Sequence, residues 1–425
     1  MPIEVKPTGA GFSIAWPEHG ILGQFRRLRE EKGQLKGHIS LWRKVGEQRL
    51  DLYDDTFNVD SARSRAGAIR VLSAFGEDGW QPDWPILIES IRKRIQEQYR
   101  QGSPMVMLVG DRDDYPVELR YVLKPLLFEG EPTIVFAEGG SGKGWVSVYL
   151  AMLMAEGVSS YDLTVAGPGN VLYLDWEQSE GEINRRIHLL KQGGLAPDAT
   201  IAYRRCSKSL ADDIEDIADM VQGLPASALI IDSLLGACGG EDLEKSQTAS
   251  RFFLAYRTLK VAAWIITHTS KGGAGQKTAF GSGYWAYQAR SVWQAVPTME
   301  PGADAFSVGL VHTKVNMGRL QKPMAFKFSF SREAVDQEDT SVEVMSDDPA
   351  SIEGVLRRFG VRQQILKQLQ DGSLPVADIL DAFPKGKHAE VRSRLSDLKK
   401  AGVIVLSPDK RWALAFDREG DDSLL

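Results

Sequence analysis

The sequence predicts an α/β protein with a mainly parallel sheet at its centre, an N-terminal α+β unit before it and a C-terminal winged helix-turn-helix after it. Three observations carry that prediction. From about Val117 to Phe330, short apolar runs alternate with helical patterns: Thr133–Phe136, Val171–Leu174, Ala228–Ile231, Ala262–Thr267, Ser291–Ala295 and Ser307–His312. Strands this continuously apolar belong in a sheet buried on both faces. A glycine-rich segment, Ala137-Glu-Gly-Gly-Ser-Gly-Lys143-Gly144, joins the first run to a helical pattern at Val146–Met154. Near the C-terminus, helical patterns at Ile352–Leu369, Val376–Phe383 and His388–Ala401 precede Val403–Leu406, a turn at Ser407–Arg411, and Trp412–Leu414.

The boundaries follow composition. Residues 1–108 form the N-terminal α+β domain, with short antiparallel strands over Phe12–Val59 and helices near Ser61–Phe75 and Asp83–Tyr99. Residues 109–332 form the central domain, the acidic stretch within 333–350 a linker, 351–418 the winged helix-turn-helix, and 419–425 a tail. A net charge of −6 over 425 residues excludes a protein that coats polyanions with its whole surface, so any such site is local. The two cysteines, Cys206 and Cys238, lack metal-ligand spacing and fit a reducing compartment. The longest apolar run is too short to cross a bilayer, and the expectation is a cytoplasmic protein without a membrane partner.

Between a strand and a helix, the glycine-rich segment reads as a phosphate cradle. Glycines let successive N–H groups face a triphosphate, the helix N-terminus favours the anion, and Lys143 reaches the terminal phosphates. Glu138, Gly139, Gly140, Ser141, Gly142, Lys143 and Gly144 are the expected nucleotide ligands. Ala137 replaces the first glycine of the usual pattern, and Gly144 stands where a hydroxyl normally binds Mg²⁺. Three further segments end in polar residues at the same predicted sheet edge. Leu172-Tyr-Leu-Asp175-Trp-Glu177 offers Glu177 to orient and deprotonate a water, or else helix-start charges. Ala228-Leu-Ile-Ile-Asp232 delivers Asp232 beside a metal, or else ends in a turn-forming Asp-Ser pair. Trp264-Ile-Ile-Thr-His268 offers His268 as a γ-phosphate sensor or a structural histidine.

Taken in order with Gly281-Ser282, Ala289-Arg290-Ser-Val-Trp and Lys314-Val-Asn316-Met-Gly318, these segments resemble the RepA-type branch of RecA-like ATPases, ring-shaped hexameric replicative helicases of plasmids and mobile elements. The resemblance covers about Val117–Phe330. It implies a RecA-like core using ATP and Mg²⁺, with Lys143 on phosphate, Glu177 as catalytic carboxylate, Asp232 as metal residue, His268 as sensor, and Arg290 as an arginine finger reaching a neighbour's site. It further implies a homo-oligomer, a hexamer in that family, whose pore loops hold single-stranded DNA. Phe280 departs from the arginine many relatives have there, and Gly144 from the hydroxyl residue. Of the two loops expected at the pore, Ser270–Gly283 carries Lys271, Lys277 and Phe280, a set suited to a single strand's backbone and bases.

Between Ile352 and Ala415, twelve Lys or Arg against seven Asp or Glu give a net +5 inside an acidic chain. Arg392, Lys399 and Lys400 on the third helix and Lys410 and Arg411 at the wing are the candidate contacts to duplex DNA, the alternative being a protein-interaction module. The whole reads as an ATP-dependent DNA helicase or translocase, or alternatively as a nucleotide-gated DNA-binding initiator, loader or regulator with weak or no hydrolysis.

Overall fold

The computed structural model describes residues 3–8, 11–46, 48–76, 80–101, 118–269, 283–332, 337–370 and 372–415. It divides into two compact units: Met1–Leu119 with Cys206–Ala226 and Leu235–Val261, and Arg120–Arg205 with Ser227–Leu234 and Ala262–Leu425. Two segments expected in the central domain thus group with the N-terminal unit. The expected boundary at residue 108 lies outside the described residues.

In the first unit, β1 (Glu4–Thr8), β2 (Gly11–Trp16), β3 (Ile21–Glu31), β4 (Gln34–Val45) and β5 (Gln48–Asn58) form an antiparallel meander in chain order. Three of these strands run to eleven or twelve residues, longer than the short strands expected. Phe12, Ile14 and Trp16 alternate inward along β2 and share a core with Phe25, Ile39, Leu41 and Phe57. α1 (Ala62–Leu72), capped by Ser61, and α2 (Trp84–Gln101) close that core, the latter through Leu87, Ile88, Ile91 and Ile95.

The second unit is built on β6 (Tyr121–Lys124), β7 (Leu127–Phe128), β8 (Pro132–Ala137), α3 (Lys143–Glu156), β9 (Thr164–Val165), β10 (Asn170–Asp175), α4 (Glu180–Gln192), β11 (Ala202–Arg205), β12 (Ala226–Asp232), β13 (Ala262–His268), β14 (Ser291–Thr298), β15 (Ala305–Val315), β16 (Met324–Ser331) and β17 (Ser341–Asp347). Nine of these strands make one sheet, ordered β11-β10-β12-β13-β8-β14-β15-β16-β17. The pairs β10–β11, β12–β13, β13–β8 and β8–β14 are parallel, whereas β14–β15, β15–β16 and β16–β17 are antiparallel. β8 is buried along its whole length, as a central strand covered on both faces must be. The acidic stretch expected as a linker is a strand over Ser341–Asp347, because Val342 is buried in the core and the segment pairs with β16.

Toward the C-terminus, the expected helix Ile352–Leu369 divides at Gly360 into Glu353–Leu356 and Val361–Gln370. Helices Val376–Asp381 and His388–Lys400 and a sheet ordered β18 (Leu374–Pro375), β20 (Arg411–Leu414), β19 (Ile404–Leu406) surround Ile365, Leu369, Ile379, Val391, Leu395 and Leu398. No helix among the described residues is long and apolar enough to cross a membrane.

Candidate functional site

β8 ends at Ala137 and the chain turns into α3 through residues 138–142. Gly140 and Gly142 hold φ of 70° and 77°, conformations open to glycine and costly for other residues. A Cβ on Gly142 would also lie 2.6 Å from the Phe306 ring. The loop wraps the Lys143 ammonium, which donates to the carbonyls of Ala137 at 3.1 Å and Glu138 at 2.6 Å and to Ser141 Oγ at 3.2 Å. Burial lowers the Lys143 pKa to about 8, against the opposing pull of Asp232, Glu177 and Glu138.

The parallel strands β8, β12 and β13 bring their C-terminal ends to one edge, where β13 sets His268 opposite Ala137. Gly140–Trp145, Glu177, Gln178, Arg186, Asp232, His268 and Phe306 line one cleft of about 300 Å³, within the range of a small-ligand site. The four predicted residues Lys143, Glu177, Asp232 and His268 therefore meet. Asp232 is buried, and its Oδ2 accepts from Tyr173 Oη and Gln178 Nε2, each at 2.7 Å. Burial raises its pKa, with those two hydrogen bonds acting in the opposite direction. Glu177 is 40% exposed and accepts a hydrogen bond from Ser233, with His268 Nε2 3.9 Å away. Burial and then the nearby Lys143 charge lower the His268 pKa, so the imidazole is held neutral.

Asp175 is structural. Fully buried, it accepts from the backbone N–H groups of Glu177 and Gln178, both at 2.8 Å, and from Tyr203 Oη at 2.8 Å. These bonds fix the turn that presents Glu177.

Arg290 sits at the other edge of the sheet. Its N–H donates to Pro132 O, at the start of β8, and its side chain pairs with Glu131 at 3.3 Å. At about 3.3 Å per residue, the five-residue step from Pro132 to Ala137 separates it from its own glycine loop by more than 15 Å. The Lys314–Gly318 turn holds that corner: Lys314 Nζ donates to Ala289 O, and the Asn316 N–H to Arg290 O at 2.9 Å.

Lys271, Lys277 and Phe280 lie outside the described residues. Arg392, Lys399 and Lys400 are exposed on the helix whose Val391, Leu395 and Leu398 face inward, and Lys410 is exposed in the β19–β20 turn. Arg411 opens the strand beside Ser373, and its guanidinium donates to that residue, Nε to Oγ at 3.1 Å and Nη2 to O at 2.5 Å.

Sequence reasoning missed Tyr173, Gln178, Arg186 and Ser233. Arg186 gave no signal, since its spacing from Glu182 reads as an ordinary surface ion pair on a helix.

The site fits a nucleotide: a left-handed glycine turn, a helix N-terminus and a buried lysine converge on one cleft. Mg²⁺ fits less well. It requires near-octahedral oxygen ligands, Gly144 offers none, and one Asp232 oxygen already has two donors. Among the described residues no group of three or more His, Cys, Asp or Glu is arranged to hold a metal ion. The expectation that Asp232 fixes the metal is limited to its remaining oxygen.

A family model described as an AAA domain matches residues 99–274, which include the glycine loop, Glu177, Asp232 and His268. The matched segment carries the glycine loop and strands β8, β10, β12 and β13 of the parallel part of the sheet. Among solved structures, the chain is similar to a KaiC-like protein from the hyperthermophilic archaeon Pyrococcus horikoshii, at 14% identity and a TM-score of 0.36, over 54% of this chain and 100% of that one. No curated protein matches. The cleft-lining residues come from the parallel strands, the loops that leave them and helices α3 and α4, apart from Met299 and Phe306 at the start of the antiparallel extension.

Proposed function

We propose that this protein is an ATPase, a DNA helicase or translocase that works as a ring of identical subunits in the replication of a mobile element. The observation that carries the reading is the convergence of Lys143, Glu177, Asp232 and His268 on one cleft. Lys143 swings from the loop carbonyls onto the β- and γ-phosphates. Glu177, held by Ser233, aligns a water and takes its proton as the water oxygen bonds to the γ-phosphorus and the bond to the β-phosphate oxygen breaks, releasing ADP and phosphate. Neutral His268, within reach of Glu177, senses whether the γ-phosphate is present. Arg290, too far from its own cleft to serve it, completes a neighbour's.

Single-stranded DNA is assigned to Lys271, Lys277 and Phe280. The C-terminal module acts as a winged helix-turn-helix that takes duplex DNA or a protein partner through Arg392, Lys399, Lys400 and Lys410. ATP hydrolysis measured with and without single-stranded DNA tests the motor, with Lys143→Ala as the blank. Stimulation by DNA supports it and leads to strand-displacement assays; turnover indifferent to DNA counts against it.

A second reading, a nucleotide-gated DNA-binding initiator, loader or regulator, is favoured by one feature. At Gly144 the loop presents no hydroxyl to a metal, which suits a site that binds ATP tightly and hydrolyses it slowly. Tight binding without turnover selects this reading.

A further inference from the structure

Gly144 is the first residue of α3 after Lys143, and the space its missing side chain would fill is taken. A Cβ built there would lie 2.2 Å from Arg186 Nη1 and 3.2 Å from Arg186 Cζ. Arg186, on the second turn of α4, is held from behind by Glu182, to which Nε and Nη2 each reach at 3.1 Å, and its Cζ sits 5.5 Å from the centre of the Trp145 ring. Nη1, in contrast, is buried and has no hydrogen-bond partner among the described residues. An unsatisfied buried guanidinium donor is costly, and Arg186 lines the same cleft as the glycine loop.

We propose that Arg186 is a nucleotide ligand that stands in for the loop-held magnesium: its free Nη1 donates to the β- or γ-phosphate oxygens of a nucleoside triphosphate, which the site takes without a divalent cation. The inference rests on the reading of the cleft as a nucleotide site. Gly144 is then the residue that admits the guanidinium, not a lost hydroxyl. A fixed positive charge in that position repels a dication at close range and attracts the tetra-anionic triphosphate, and charge-assisted N–H donors to phosphate are among the stronger hydrogen bonds.

The test is binding of a fluorescent ATP analogue to the full chain in EDTA and in Mg²⁺. The wild type is expected to bind in EDTA within about threefold of its affinity in Mg²⁺, and Arg186→Ala to lose at least tenfold in EDTA. Gly144→Thr is the second variant, for the case that Arg186→Ala does not fold. Its side chain must displace the guanidinium, so EDTA binding falls at least tenfold while binding in Mg²⁺ persists. Wild-type binding that requires Mg²⁺, or variants that bind in EDTA like the wild type, overturns the inference and leaves the nucleotide site standing. Absence of binding in both conditions removes the nucleotide reading itself, and the inference with it.

Discussion

Tyr173 donates its hydroxyl to Asp232 Oδ2 at 2.7 Å, and both side chains are buried on the neighbouring strands β10 and β12. The bond satisfies a carboxylate that burial alone would drive toward its neutral form, and burial pushes the Tyr173 phenol well above its ordinary range. Tyr173→Phe removes one of two donors to that oxygen and is expected to lower stability by about 1–3 kcal/mol, read as a shift of the denaturant midpoint. An unchanged midpoint would mean that Gln178 alone satisfies Asp232.

Lys143 titrates near 8 in the empty site. A bound triphosphate favours the charged lysine, so above pH 8 binding must be accompanied by proton uptake. The affinity for ATP should therefore fall as pH rises from 8 to 9.5, by up to about tenfold per pH unit. For the empty protein the sign is opposite: the folded state binds fewer protons than the unfolded chain between about 8 and 10.5, so this group makes stability rise across that window. Titrations at pH 7, 8 and 9 check the first claim, and Lys143→Ala should abolish binding at all three.

Arg290→Ala should leave ATP binding intact and reduce turnover by about 10³-fold, the scale of a transferred arginine finger. Mixing that variant with Lys143→Ala should restore part of the activity, since one subunit supplies the cleft and the other the arginine. Normal turnover by Arg290→Ala would reduce its role to the ion pair with Glu131.

His312 is buried and stacks on Trp293 with ring centres 4.2 Å apart, its nitrogens meeting Ser291 Oγ and the Gln321 N–H, both at 3.1 Å. Burial lowers its pKa to about 4, so the unfolded chain takes up a proton that the folded one refuses. Stability should decline as pH falls from 6.5 toward 4, by at most roughly 3 kcal/mol from this residue. Tryptophan fluorescence unfolding at pH 7 and 5 checks it, and His312→Gln should flatten the dependence.

Replacing Arg392, Lys399 and Lys400 together by Glu should weaken duplex DNA binding at least tenfold and make its salt dependence shallower by about 0.9 for each phosphate no longer neutralised. All three are exposed, so the melting temperature should change little. Unaltered DNA affinity would favour a protein partner for this module.

The glycine loop, Glu177 and Asp232 were legible because a buried parallel strand leaves an uninterrupted apolar run, and whatever polar residue follows it marks the sheet's functional edge. The edge strands were not. β11 reads Ala-Tyr-Arg-Arg with none of the four buried, and β17 itself has one buried residue, Val342, which gives no period. Arg186 was hidden for a different reason: its role comes from a glycine 42 positions earlier, and no local pattern records that a missing Cβ makes room for a distant guanidinium. Arg411 likewise shows its charge in the sequence and its partner only in the fold.

In the proposed mechanism Glu177 does the chemistry in a cleft where Lys143 holds the nucleotide. Glu177→Gln, nearly isosteric and still able to meet Ser233, tests it most directly through paired measurements of ATP affinity and single-turnover hydrolysis. Affinity is expected to stay within a few-fold of the wild type and hydrolysis to fall by at least about 10²-fold, the usual contribution of a positioned general base. Hydrolysis at the wild-type rate would contradict the mechanism.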